Sequence, residues 1–362
     1  MDRQYLIYSF SAYASSPYTT DTQKTKLKFP SINVPDYTQT SGIKSGDDPE
    51  RKGSTYTYGP YNTAKLSPET VYPITVRYEL TAPIIAISLL ERDVEVSHWG
   101  GNLATEERYW MHNNGSKLLD NFSRVQWTLS KYRGRGGRAL RELSYPLKPG
   151  SVDAYYTDDV GNVTTSHYRP GKQAHLLLQP RFPLFGGWNY SFRVGWNNAL
   201  STFLRRSSQD GDTYILKVPF VEGPDMPEGV QYEKVVVRVV LPEGARDLDY
   251  GLLDAESGNG LPGSKDFRVT ESNLKTYMDT LGRTVLTVSV DNLTDAARNS
   301  QLIVSAMLSI LKRIMLIPGI QVSYHYTLVD ALRKPVTFTA GLLTVFFFAW
   351  LVGNIDVSIK KR

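Results

Sequence analysis

Hydrophobic and polar positions alternate with a period of two along much of this chain, and Gly and Pro punctuate the runs, as in half-buried strands joined by turns. Ile74, Val76, Tyr78 and Leu80 alternate with Thr75, Arg77 and Glu79 and predict a strand with one wet face. Thr25–Phe29 alternates likewise, as do Val94–Trp99, which ends at Gly100-Gly101, and Val322–Leu328. Tyr5–Tyr8, Thr213–Phe220 and Thr284–Val290 are further strand candidates. So is Val235–Leu241, dense in β-branched residues. Pro83 separates the Ile74 strand from a second apolar run, Ile84–Leu90. Ser31–Leu66, rich in Ser, Gly, Pro, Asp and Tyr, reads mostly as loop. Tyr145–Asn162 reads as strand and turn, with Gly161 closing a tight turn after Asp158-Asp159. Leu176-Leu177-Leu178 leads into Pro180–Trp188, an irregular apolar corner fixed by two Pro and two Gly. Short strands at short intervals predict a mainly β chain built from β-sandwiches.

Two stretches break the period. Val336–Ile355 contains no charge, and as a helix it is roughly 30 Å long, the thickness of a bilayer's hydrocarbon core. Arg333 and Lys334 precede it; Asp356 and then Lys360, Lys361 and Arg362 follow. Three consecutive Phe beside Trp350, with no polar stripe, predict a transmembrane helix rather than a buried one. Gln301–Ile320 is the second exception: Leu302–Leu311 is nearly all apolar, and Lys312-Arg313 interrupts it before Ile314–Ile317. It is short for a span, so a buried or interfacial helix is expected.

Composition narrows the rest. The chain's 362 residues suffice for two domains plus a span, and with 21% charged and 41% hydrophobic residues the part before the span folds. A net charge of +5 is mild and spread out and does not point to nucleic acid. Arg133–Arg138 resembles short Arg-Gly segments that bind RNA, but a single patch within a folded region reads as an exposed loop. Cysteine is absent, which excludes disulfides, thiol catalysis and Cys-type zinc sites. Met1–Tyr5 carries no signal-peptide h-region. A C-terminal span without a signal fits either a tail anchor with its bulk in the cytosol or a chain incomplete at its N-terminus. The charges flanking the span do not settle its orientation. Five sequons, at Asn114, Asn121, Asn162, Asn189 and Asn292, all precede the span, against roughly two or three by chance, and lean toward a lumenal bulk.

Catalytic motifs are missing: there is no paired-His metalloprotease helix, nucleophile elbow or phosphate loop, and the five His are scattered. No catalytic, cofactor or metal residue is therefore expected. Glu106-Glu107 and Asp158-Asp159 are paired carboxylates, the minimum for acid–base work or a hard cation, and are expected on solvated loops. With 23 Tyr and 6 Trp the chain is rich in amphipathic rings, which suit either sheet packing or glycan and protein contact. The residues alone lead to a membrane-anchored β-rich protein without a visible catalytic motif, which fits a membrane-anchored β-sandwich receptor or adhesion module or an enzyme with a carboxylate site of no known motif.

Eight segments, in order, resemble the ribophorin I (Ost1-type) family of oligosaccharyltransferase subunits. They are Val94–Gly100, Glu106–Trp110, Phe122–Arg124, Tyr155–His167, Pro180–Trp188, Leu241–Ala245, Asp279–Arg283 and Leu332–Pro335. The resemblance implies a single-pass type I protein of the endoplasmic reticulum membrane with tandem lumenal β-domains and one C-terminal helix. It implies a noncatalytic subunit, structural or substrate-presenting, of the complex that transfers a preassembled glycan from dolichyl diphosphate to Asn of Asn-x-Ser/Thr. Implied partners are the other subunits, including the catalytic one, nascent polypeptides and membrane lipid; implied cofactors are none.

On that plan, residues 1–92 are the C-terminal part of a first lumenal domain truncated by several strands, which would leave unpaired edges. Residues 93–331 form the second domain, 336–355 the transmembrane helix, and 356–362 a short cytosolic tail. Lys360-Lys361-Arg362 resembles a retrieval signal with its lysines one place off the dilysine spacing. Residues 304–321 are an insert relative to the family pattern. They are either an amphipathic helix on the membrane surface or untranslated sequence kept in a gene model, and the second is favoured because Leu302-Ile303 reads smoothly onto Ser323.

Overall fold

A computed structural model describes residues 3–13, 18, 20–40, 48–62, 71–132, 138–171, 174–208, 210–227, 229–253, 267–276, 279–294 and 319–354. Residues 133–137 of the Arg-Gly segment, 304–318 of the insert and 355–362 at the C-terminus lie outside the described residues. The chain is mainly β and ends in one long apolar helix. Two compact units form. One comprises residues 1–84, 113–140 and 185–188, the other residues 85–112, 141–184 and 189–362.

The first unit carries two three-stranded antiparallel sheets. Strand β1 (Tyr5–Ser11) pairs with β6 (Pro73–Glu79), which also pairs with β3 (Asp36–Tyr37). Strand β5 (Thr55–Asn62) lies between β2 (Thr22–Lys28) and β4 (Glu50–Lys52). Their inward residues meet in one cluster that includes Phe29, Tyr56, Tyr58, Tyr61, Ile74 and Val76. The stretch expected as loop thus contains β5. Its core face is tyrosine rather than aliphatic, so a hydrophobic alternation test does not detect it. Helix α1 (Arg124–Tyr132) belongs to this unit, and Trp127 and Phe122 pack on Phe185 and Trp188 of the Pro180–Trp188 corner.

The second unit is organised by β7 (Ile85–Ser97) and β8 (Asn102–Asn113), a long hairpin turning at His98–Gly101, where Gly101 adopts a left-handed backbone. The remaining strands are β9 (Leu143–Leu147), β10 (Val152–Asp158), β11 (Gly161–Asn162), β12 (His167–Arg169), β13 (Ala174–Leu178) and β14 (Asn189–Ala199). After the short helix α2 (Leu200–Phe203) come β15 (Leu204–Arg206), β16 (Thr213–Pro219), β17 (Gln231–Val240), β18 (Arg246–Leu253), β19 (Arg268–Leu274), β20 (Arg283–Thr294) and β21 (Gly319–His325). Eight of them form one sheet in the order β11-β10-β14-β8-β7-β17-β20-β19. Within it β17 runs parallel to β7, with Val239 opposite Val94. Two smaller sheets, β12-β13-β9 and β15-β16-β21-β18, pack against it. Tyr145 of β9 meets Tyr109 edge-on, and Tyr214 of β16 and Tyr324 of β21 meet His98. Helix α3 (Leu328–Asn354) follows β21 after a two-residue link.

The centre of the large sheet is polar. Arg92, on the inward face of β7, is fully buried and ion-paired to Glu107 of β8 and, at 2.7 Å, to Glu222. Its guanidinium lies 5.8 Å from the centre of a Trp196 ring, and Tyr109 donates to Glu107 at 2.6 Å. Burial pushes the Glu107 carboxyl above its ordinary value against the opposing pull of Arg92 and the Tyr109 hydroxyl. Removing Arg92 would strand two carboxylates in an apolar layer. Arg92→Ala should therefore lose roughly 3–5 kcal/mol of stability. Denaturant unfolding followed by tryptophan emission measures this, and a loss below about 1 kcal/mol would contradict a structural role for the cluster.

Candidate functional site

The two carboxylate pairs lie on strands and their turns, and each acid has its own partner. Glu106 and Glu107 are consecutive on β8 and so face opposite sides of the sheet. Glu107 is committed to Arg92, whereas Glu106 accepts from Tyr155 at 2.5 Å and sits 3.4 Å from Arg108. Asp158 ends β10, and its carboxylate accepts from Nε and Nη2 of Arg181 at 2.7 and 2.9 Å and from the backbone N–H groups of Val160 and Gly161. The Arg181 guanidinium holds Asp158 below the usual carboxylate range. Asp159 accepts from Ser191. These pairs are structural ties within the sheet rather than two free oxygens converging on one ligand position.

Around Asp158 and Asp159 opens a groove of about 480 Å³ floored by β8 and β14, with Trp110, Phe182 and Tyr190 among its walls. Asn189, a sequon residue, lines it, and the sequon Asn162 is exposed beside it, its carbonyl 3.5 Å from Arg181. Asn114 and Asn121, in the other unit, and Asn292, near the end of β20, are likewise exposed.

The opposite end of the same sheet receives the apolar helix. Thr327 precedes α3 and forms a capping box with Asp330: the Thr327 N–H and hydroxyl donate to the Asp330 carboxylate at 3.1 and 2.6 Å, and the Asp330 N–H returns to the Thr327 hydroxyl at 3.3 Å. Asp330 is also tied to Arg246 of β18 at 2.8 Å. One turn on, Lys334 donates to Asp279 at 2.6 Å and lies 3.9 Å from Glu243. Glu243 in turn accepts the backbone N–H groups of Thr280 and Leu281 at 2.7 Å each. Burial pushes Asp279 up, but Lys334 and Thr276 outweigh it and hold its carboxyl at about 2.

Proline in a helix has no N–H to give to the carbonyl four residues back. Pro335 therefore orphans the Ala331 carbonyl. The Trp99 indole, at the tip of the β7–β8 hairpin, donates to that oxygen at 2.7 Å. Trp99 also borders a cleft of about 410 Å³ with His98, Tyr214, Tyr326 and Leu328, where burial lowers the His98 pKa. Neither the bond from Trp99 to the Ala331 carbonyl nor the Arg92 cluster is legible from spacing, because both join residues far apart in the chain. The capping box Thr327-x-x-Asp330 is a local signature that a closer reading of the sequence finds.

A sequence model of the Ribophorin I family matches residues 1–353. The chain belongs to the Ribophorin I family. Its relatives include dolichyl-diphosphooligosaccharide–protein glycosyltransferase subunit 1 of Schizosaccharomyces pombe, 35% identical over 81% of this chain and 62% of the relative. Subunit 1A of the same name in Arabidopsis thaliana is 30% identical over 97% of this chain and 50% of the relative. The chain thus spans between 50% and 62% of the length of these two relatives. Among solved structures, an M1 zinc metallopeptidase from Deinococcus radiodurans aligns at a TM-score of 0.32 and 12% identity, covering 67% of this chain and 43% of that one. Likeness at that level carries no argument about chemistry. The segments that carry the resemblance lie at both ends of the second unit: Val94–Gly100 holds Trp99, the donor to the Ala331 carbonyl just before Leu332–Pro335, and Tyr155–His167 with Pro180–Trp188 holds the Asp158–Arg181 pair.

Two outcomes follow for this Ribophorin I chain. Trp99→Phe should cost about 1 kcal/mol, the worth of one hydrogen bond, in the presence of Pro335, and much less in a Pro335→Ala background, where the helix N–H reclaims the Ala331 carbonyl. A double-mutant cycle on thermal unfolding in detergent measures the coupling, and strict additivity refutes the pairing. Acid tests the second tie. Asp279 titrates lower in the folded chain than unfolded, so its contribution is full above about pH 4 and fades as pH falls toward about 2; it is worth on the order of 2 kcal/mol. Asp279→Asn should lower stability at pH 6 and leave it nearly unchanged at pH 2, and an equal penalty at both pH values would contradict this.

Proposed function

We propose that this chain is a noncatalytic subunit of an oligosaccharyltransferase assembly, which transfers a preassembled glycan from dolichyl diphosphate to Asn of Asn-x-Ser/Thr in nascent polypeptides. The observation that carries the reading is the family match across residues 1–353, together with relatives named as subunit 1 of that glycosyltransferase. Its own role is structural or substrate-presenting. The carboxylate pairs support this, since each acid is engaged by an arginine, tyrosine or serine of its own fold. The groove at Asp158 and Asn189, walled by aromatic rings at one end of the sheet, is a surface suited to holding polypeptide or glycan.

On this reading the β-units are lumenal domains of a single-pass type I protein in the endoplasmic reticulum membrane. Residues 336–355 cross the membrane and 356–362 face the cytosol. The partners are the catalytic and other subunits, nascent chains and lipid. The five exposed sequons support a lumenal placement, as does the candidate span at the end of α3. Affinity purification of the tagged chain in mild detergent should recover a stoichiometric complex holding a multi-spanning glycosyltransferase, and a solitary protein would favour an adhesion or receptor module instead. Glycosidase treatment of the chain expressed with a signal peptide should lower its apparent mass; unchanged mass with the bulk open to cytosolic protease would overturn the topology.

A further inference from the structure

We infer that the second β-unit is seated on the bilayer through its helix-proximal end, so that the hairpin tip at Trp99 and the loop at Leu281 lie in the lipid headgroup layer. The partner is the membrane surface itself. The reading rests on α3 as a membrane anchor and is independent of the assembly proposed above.

Heights along the helix place this face. The uncharged run begins at Val336, and at about 1.5 Å per residue Ala331 stands roughly 7.5 Å above that boundary. The interfacial layer on each side of the hydrocarbon core is about 5–8 Å deep. Trp99, fixed to the Ala331 carbonyl at 2.7 Å, is therefore held at the height of the headgroups. Lys334 is only two residues above Val336, about 3 Å, and its 2.6 Å bond to Asp279 brings the 279–281 loop to the same layer.

The side chains at this level suit that environment. Trp99 is 65% exposed although its indole N–H is satisfied, leaving its ring face uncovered, the disposition that favours aromatic residues at membrane interfaces. Leu281 is 54% exposed, and Leu328, Val329 and Leu332 are exposed around the first helical turns, so apolar surface continues upward from the span instead of stopping at Val336. Arg246 and Arg333 flank the patch and share the single Asp330 carboxylate, at 2.8 and 3.6 Å, which leaves one positive charge of the pair to suit lipid phosphates. The Lys334 ammonium, nearest the hydrocarbon, is neutralised by the buried Asp279 carboxylate, which removes the penalty for holding it there.

Rigidity makes this more than a tether. The β-unit grips α3 at Asp330, Ala331 and Lys334 over little more than one helical turn, so the sheet cannot lift away from the membrane without breaking these bonds. The groove at Asp158 belongs to the other end of the sheet. Phe192 registers with Tyr109 and Asp158, and the ten residue steps of β8 from Asn102 to His112 measure about 33 Å along the strand.

The absence of cysteine makes single-cysteine probes straightforward. Leu281→Cys, Leu332→Cys and, as a remote control, Val160→Cys would each be labelled with bimane in the full chain and reconstituted in phosphatidylcholine nanodiscs containing spin-labelled lipid. Probes at Leu281 and Leu332, the latter about 6 Å above Val336, should be quenched several-fold more than the probe at Val160, and headgroup-level spin labels should quench them more than labels deep in the acyl chain. Quenching at Leu332 with none above the Val160 level at Leu281 would overturn the inference, because the helix alone would then touch lipid. Equal quenching by shallow and deep labels would overturn the assigned height.

Discussion

The carbonyl that Pro335 leaves without a helical partner is the point on which the arrangement of the second unit depends. The donor described for it is the indole of Trp99, more than two hundred residues earlier in the chain. That bond joins the β7–β8 hairpin, the scaffold of the eight-stranded sheet, to the helix. Around it, the capping box at Thr327 and Asp330 fixes where the helix begins, Arg246 ties that cap to β18, and Lys334 ties the next turn to the 279–281 loop. Each tie is modest in free energy. Because they share one rigid helical turn, their geometric effect is joint, and together they define the angle at which the span leaves the sheet.

A second constraint operates at the centre of that sheet. Arg92 is held between two carboxylates and near an indole face, in a layer where an unpaired charge would be prohibitive. The cluster joins β7 and β8 to the segment after β16 and gives the core a polar keystone with directional bonds. Aliphatic packing alone tolerates slippage of long strands, whereas bonds of fixed length and angle discriminate one register from the next. The Asp158–Arg181 pair has a similar role at the far end, where it fixes the β10–β11 turn and with it one wall of the groove.

How much of this the sequence discloses depends on the kind of residue that faces inward. Strands whose core faces are aliphatic, such as Ile74–Leu80, Val235–Leu241 and Thr284–Val290, lie where alternation places them, in β6, β17 and β20. Strands with polar or tyrosine cores escape the same test. β8 buries Thr105 and Glu107 in its inward row, and β5 buries Tyr56 and Tyr58, so neither shows an aliphatic period, even though burial in β8 alternates at every residue. The uncharged run at Val336–Ile355 is legible because the bilayer imposes a length and a composition at once, though the helix itself begins eight residues earlier, at its cap. The carboxylate pairs are visible as pairs, but their expected place on solvated loops does not hold, because consecutive strand residues diverge and each finds a partner from a distant segment. Local spacing cannot announce such partners; only the topology brings Arg92 to Glu107 or Arg181 to Asp158.

The topology of the second unit also sets the order in which it can be completed. β7 finds its parallel neighbour β17 only after some 145 residues more have been made, and β16 acquires β21 only when the chain has reached the residues just before α3. Loop closures of this span are entropically expensive and slow. A ribosome working from the N-terminus therefore presents the long β7–β8 hairpin with one flank open for most of the synthesis of the unit, and the strand that finishes the smaller sheet emerges almost together with the apolar helix. Folding of the sheet and insertion of the anchor are in this sense a single late event, and the nascent unit has to be shielded from edge pairing until that moment.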